Sequence, residues 1–218
     1  MKRLISIALI SVALMAVVDG IISPGYFQKA AAKMVLFLAF PVFAGNAGNS
    51  LKSIFKPGDR KELVQSLILG TAVYGIIIGA YIILSPFLDL DKIRYILDTR
   101  LGVNRDNFIL VALYISIFNS LLEEFFFRGY IFLGLLKKTS RIKAHMISAG
   151  IFAVYHVAIL KGWFNPLIFA LAMLGLFVGG ILFNLLNERN KNIISSWLVH
   201  MGANLAINTV GLLMFGIL

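Results

Sequence analysis

Seven long apolar stretches joined by short polar connections leave this chain little choice of architecture. They cover residues 4–18, 34–48, 63–88, 107–136, 146–160, 166–187 and 193–217. A bilayer core about 30 Å thick is crossed by roughly 20 mainly apolar helical residues. The expected fold is therefore all-α, a polytopic transmembrane helical bundle. Hydrophobic residues make up 60% of the chain and charged residues 14%, where a soluble domain carries about 25% charged residues. The connections are too short to build a separate soluble domain, so the whole chain reads as one membrane domain.

The fourth stretch is about 30 residues long, roughly 45 Å as a helix at 1.5 Å per residue. It must tilt, protrude or break. Unbroken, it gives seven spans; a break after Glu123 gives eight. The N-terminus, MKRLISIALISVALMAVVDG, has the basic flank and apolar run of a signal peptide but no A-x-A site, and reads as a retained first span.

The net charge of +10 would point to nucleic acid in a soluble protein. In a membrane chain the positions of Lys and Arg matter more, and no nucleic-acid partner is expected. With the N-terminus inside, twelve of them fall in inner connections and seven outside, the latter being Lys29, Lys33, Lys92, Arg94, Arg100, Arg105 and Lys161. The bias places the N-terminus on the cytoplasmic side. The absence of cysteine excludes disulfides and thiolate-bound metal. Pro24, Pro57 and Pro166 fall near span ends, while Pro41 and Pro86 lie in or near spans as candidate kinks. Gly75 with Gly79, and Gly175 with Gly179, have the small-xxx-small spacing of close helix packing.

The stretch LLEEFFFRGY, residues 121–130, sets two carboxylates and a guanidinium in strongly apolar sequence. Ionisable groups inside a membrane are costly, face the bundle interior and are functional by default. Glu124 and Arg128 are i and i+4 with the acid first, the favourable order for an ion pair. A structural clamp accounts for those two. Glu123, about 100° around the helix, needs another partner.

Candidates lie at similar depth. Counted from Lys137, Glu123 is roughly 21 Å along its helix; counted from His145, His156 is roughly 17 Å; counted from Lys191, His200 and Asn204 are roughly 14 and 20 Å. The four fall in one layer about 7 Å thick. His200 and Asn204 share a helix face, as do Phe152 and His156. His145, beside Lys143 near a membrane boundary, reads as structural.

A glutamate in an apolar site is a general base for water. Imidazole and amide N–H groups can stabilise the oxyanion that forms when water attacks a carbonyl. The set suits peptide hydrolysis without a cofactor. Glu123, His156 and His200 could instead hold a divalent metal as two histidines and one carboxylate. No HExxH motif is present, which argues against the common zinc-protease arrangement.

EEFFFR, FAVYH and HMGAN read as EExxxR, FxxxH and HxxxN, in that order on three apolar segments. The ordered triplet resembles the CPBP family of intramembrane proteases, the CAAX protease and bacteriocin-processing family that includes type 2 CAAX prenyl endopeptidases. The resemblance covers roughly 107–217 and divides the chain into 1–106, without a recognised motif, and 107–218, a catalytic helical core. It implies that Glu123 activates water with help from His156, that His200 and Asn204 stabilise the oxyanion, and that Glu124 and Arg128 support the site. Family members, long described as metalloproteases, are now viewed as glutamate-dependent and metal-free.

The implied substrate is a hydrophobic, membrane-embedded or lipid-anchored peptide entering from the bilayer or the cytoplasmic side. The compact chain looks prokaryotic, which places it in a cytoplasmic membrane. Competing readings are a non-proteolytic membrane adaptor or bacteriocin self-immunity protein that keeps the motifs as glue, and a transporter or proton relay. The lack of an evident inverted repeat weighs against transport.

Overall fold

A computed structural model describes residues 1–45 and 51–218. Among them there is no strand, and seven helices are long and apolar enough to cross a membrane. These are α1 (Lys2–Ile22), α2 (Tyr26–Ala44), α3 (Arg60–Phe87), α5 (Phe108–Leu136), α6 (Arg141–Leu160), α7 (Pro166–Asn190) and α8 (Ile194–Met214). Between α3 and α5 lies α4 (Leu90–Leu101), a shorter helix that buries Ile93 and Ile96 and leaves Tyr95 exposed. The expected end of the second apolar segment, 46–48, and the side chain of Lys52 lie outside the described residues.

Local chemistry sets the helix ends. Asp59 accepts from the backbone N–H of Glu62 at 2.8 Å to start α3, and Asp89 accepts from Lys92 N–H at 2.9 Å to start α4. Asn165 accepts from Ile168 N–H at 3.0 Å, with Pro166 at the first helical position of α7. Each acceptor satisfies a donor that the first turn leaves free. At the other end of α4, Gly102 takes a left-handed conformation at φ 64°, which a residue without Cβ adopts without steric penalty.

The second span starts at Tyr26, eight residues earlier than the apolar pattern predicts, because Lys29 and Lys33 lie within the helix rather than ahead of it. Both had been counted as outer-loop residues. Pro41 follows a π-helical stretch, Met34–Ala39; proline cannot donate to the preceding turn.

The long fourth stretch does not break after Glu123. It runs through as α5, with π-helical turns at Ile115–Asn119 and Glu124–Phe132. This is the centre of the bundle: Phe125, Phe126, Phe127, Arg128, Ile131 and Phe132 are all buried. A helix apolar on every side is one enclosed on every side. Around it the main core gathers Leu4, Ala8 and Met15 from α1, Phe37 from α2, Tyr155 from α6, Phe183 from α7 and Val199 from α8. Phe37 stacks on Phe126 with centroids 4.2 Å apart, which sets the register of α2 against α5.

Close helix packing uses glycines other than the expected pairs. A Cβ on Gly202 would lie 2.5 Å from the carbonyl oxygen of Gly70, so α8 and α3 touch backbone to backbone. A Cβ on Gly180 would lie 3.1 Å from Ala149, where α7 crosses α6. Gly75, Gly79, Gly175 and Gly179 meet nothing within 4 Å. Spacing alone does not tell which face of an all-apolar helix meets a neighbour. Gly202→Val is therefore expected to lower the melting temperature in detergent, with a penalty of about 1–3 kcal/mol for overpacking. Gly75→Val should leave it unchanged, and equal melting of the two variants would contradict this packing.

Candidate active site

Glu123 is paired by a residue from outside the motif-bearing half. Lys33 of α2 donates from Nζ to Glu123 Oε1 at 2.9 Å and to Asn119 Oδ1 at 2.6 Å. Asn119, one turn before Glu123, donates from Nδ2 to the same Oε1 at 3.0 Å. Lysine can only donate, so the amide must turn its oxygen to Lys33 and its nitrogen to Glu123. Two of the three bonds converge on Oε1 of the carboxylate, and the third joins their donors. Its other oxygen, Oε2, faces His200 Nε2 at 3.7 Å, too long for a hydrogen bond.

Glu124 points to a different set of partners. Its Oε1 accepts from His200 Nδ1 at 2.9 Å and lies 3.2 Å from Arg128 Nη1. The expected i, i+4 pair is present and wholly buried. The guanidinium nitrogens nevertheless make no hydrogen bond. Instead the guanidinium carbon lies 4.1 Å from the ring centroid of Phe152 and 4.8 Å from that of Phe183. The electron-rich ring faces balance the cation, so Arg128 is held by charge and stacking rather than by a hydrogen-bonded fork.

The FxxxH segment acquires a physical reading from this geometry. Phe152 covers Arg128 with its ring and accepts from His156 Nδ1 through its backbone carbonyl at 2.8 Å. A carbonyl only accepts, so Nδ1 carries the proton and Nε2 presents a lone pair in the neutral ring. The same ring stands edge-on to His156 and to His200, at centroid distances of 4.7 and 6.0 Å. His200 is likewise oriented, by Glu124 at Nδ1. Neutral, it offers an acceptor at Nε2; charged, a donor.

Asn204 is placed differently. Its Nδ2 donates to the carbonyl of Ile115 at 3.2 Å, at the start of the first π turn. Asn208 donates to Ala112 O and Ser116 Oγ, and Trp197 Nε1 to Ile117 O and Ser120 Oγ. α8 thus supplies side-chain donors to carbonyl and hydroxyl oxygens along this face of α5. One amide hydrogen of Asn204 is committed there, which leaves the second. His145 stands apart from the site: with Arg141 it ties α6 to Glu188 of α7, at 2.9 and 2.8 Å.

Residues 105–206 match the family model described as Type II CAAX prenyl endopeptidase Rce1-like. This segment is similar to Rce1-like CAAX proteases. No match exists among curated proteins or solved structures. The domain spans α5 to the middle of α8 and contains Glu123, Glu124, Arg128, His156, His200 and Asn204. The match supports peptide hydrolysis in coarse terms, and the seven apolar spans make this an integral membrane protein.

A divalent ion does not fit this arrangement. Among the described residues no three His, Cys, Asp or Glu side chains are grouped to hold a metal, so the set Glu123, His156 and His200 is not assembled as ligands. Lys33 already brings a positive charge to Glu123, and a second cation on the same carboxylate would meet its repulsion across a few ångströms of apolar interior.

Lys33 and Asn119 escape a sequence search for different reasons. Lys33 sits at the edge of a weakly apolar stretch and resembles a boundary lysine. Asn119, at i−4 from Glu123, carried a usable signal: a polar residue on the same helix face as an unpaired acid.

Proposed function

We propose that the protein is a glutamate-dependent intramembrane endopeptidase in which Glu123 activates water. The observation that carries this reading is the asymmetry of the Glu123 carboxylate, with Oε1 held by Lys33 and Asn119 and Oε2 turned to the gap before His200. A water bound beside Oε2 donates one proton toward it while its oxygen attacks the peptide carbonyl. The O–H bond breaks, the C–O bond forms, and Glu123 holds the proton. His156 Nε2 accepts from the water's second hydrogen and aims its lone pair.

The oxyanion then takes hydrogen bonds from His200 Nε2–H, in the charged ring that Glu124 steadies, and from the free amide hydrogen of Asn204. Such donors act where water is excluded and charge develops. Collapse of the tetrahedral carbon breaks the C–N bond, and Glu123 returns its proton to the leaving nitrogen. Arg128 and Glu124 keep His200 in place.

The substrate class is a membrane-embedded or lipid-anchored peptide, with prenylated tails as the case named in the family description. The site lies deep within the spans, which favours a chain that reaches it from the bilayer. The excess of basic residues at the inner ends favours a cytoplasmic N-terminus, and the compact chain is read as prokaryotic.

The test is peptide mass spectrometry of membranes from cells making the wild type or Glu123→Gln at equal levels. A product seen only with the wild type supports hydrolysis and identifies the cut bond. Identical peptide sets, with both proteins folded and candidate substrates detected, would reject the protease reading in favour of an adaptor or immunity role.

A further inference from the structure

We propose that Lys33, from the half of the chain outside the Rce1-like domain, is a positioning residue for the catalytic carboxylate. It keeps Glu123 ionised and holds it by one oxygen so that the other meets the water. The inference rests on the assignment of Glu123 as the base.

The geometry has three parts. Lys33 is only 7% exposed, and Glu123 only 2%, so their 2.9 Å contact is not diluted by solvent. A buried carboxylate without a counter-charge takes up a proton and ceases to be a base. Lys33 supplies the charge from a helix anchored by Phe37, whose ring stacks on Phe126 and stands edge-on to Tyr155 at 5.2 Å. The ammonium also lies 5.1 Å from the Tyr155 centroid, an aromatic wall on its non-carboxylate side.

The second part is orientation. Both Lys33 and Asn119 bind Oε1, and their mutual bond closes a three-membered hydrogen-bonded ring. Rotation of the carboxylate would break two of these contacts at once. Oε2 is left as the oxygen that can take a proton.

The third part is the place of the second acid nearby. Asp19, at the end of α1, pairs with Lys29 at 3.5 Å, one turn before Lys33 on α2. Lys33 also acts on Asp19 through space, but its direct contact is with Glu123. His200, with Nε2 at 3.7 Å, faces Oε2; His156, Asp19, Tyr26, Tyr114 and Tyr155 are the other titratable groups that act on Glu123 through space.

The experiment uses the full chain in lipid nanodiscs. Infrared difference spectra at neutral pH are taken for the wild type, Lys33→Met, Lys33→Arg and the double variant Lys33→Met with Glu123→Gln. The expected result is a protonated-carboxyl absorption in Lys33→Met that is missing from the wild type, from Lys33→Arg and from the double variant. Lys33→Gln, which keeps a donor without the charge, substitutes for Lys33→Met should the latter not fold.

On the substrate found by peptide mass spectrometry, kcat should fall about 10²-fold in Lys33→Met, the scale of a misplaced catalytic group. KM should stay constant and Lys33→Arg should recover most of the rate. A Lys33→Met protein without the new absorption, or with kcat within twofold of wild type, overturns the proposal. A wild type that cleaves nothing overturns the role of Glu123 as base instead, while the infrared result still decides whether Lys33 holds it ionised.

Discussion

Glu123→Gln is expected to lower kcat by about 10²–10⁴-fold, the range supplied by a general base, with little change in KM. Glutamine keeps the shape and a carbonyl oxygen for Lys33 to donate to, but it cannot take a proton from water. The variant should insert and fold, at lower stability, because the Lys33 ammonium is left buried without its counter-charge. Adding Lys33→Met should recover melting temperature and recover no cleavage. Single-turnover cleavage beside thermal melting in the same detergent measures both. Cleavage at the wild-type rate in Glu123→Gln would remove this residue from the reaction.

Arg128→Ala is expected to have the largest effect on folding. It leaves Glu124 wholly buried with His200 as its remaining partner and opens a cavity between Phe152 and Phe183. Removing one partner of a buried pair costs about 3–5 kcal/mol, a large share of the total stability of a domain. Yield of folded protein and melting temperature should both drop. Arg128→Met combined with Glu124→Gln removes both charges while keeping volume, and should recover much of the stability. Cleavage should stay impaired, because His200 then loses the carboxylate that orients Nδ1. Stability equal to wild type in Arg128→Ala would show that the aromatic cage, not the ion pair, holds this corner.

These two outcomes separate residues that act on the water from residues that hold the site. Glu123 and Glu124 are adjacent in sequence, yet the helical rotation between them sends one to Lys33 and Asn119 and the other to His200 and Arg128. The division follows from about 100° of turn per residue. It is legible in the sequence, as is the Glu124–Arg128 pair, since both depend only on the geometry of one helix.

The seven spans were legible for a similar reason. Membrane crossing is decided by length and apolarity, which are local properties. Span ends were less so: α2 begins at Tyr26 because the bundle buries Lys29 and Lys33 on acidic partners, and local hydropathy registers only their charge. The glycine pairs fail on the same ground. Gly75 and Gly179 have the right spacing on the wrong face, and only the packing of α3 on α8 and α6 on α7 selects Gly70, Gly202 and Gly180.

The sequence by itself determined that this is a membrane-spanning helical bundle with a paired acid, an unpaired acid and two histidines at matching depth. Only the tertiary structure decided what completes Glu123. Its partner lies 90 positions away on another helix, and no periodicity or spacing in one dimension encodes a contact made by packing two helices face to face. The commitment of one Asn204 hydrogen to Ile115 is of the same kind. It depends on a π turn in α5 and on the register of α8 beside it.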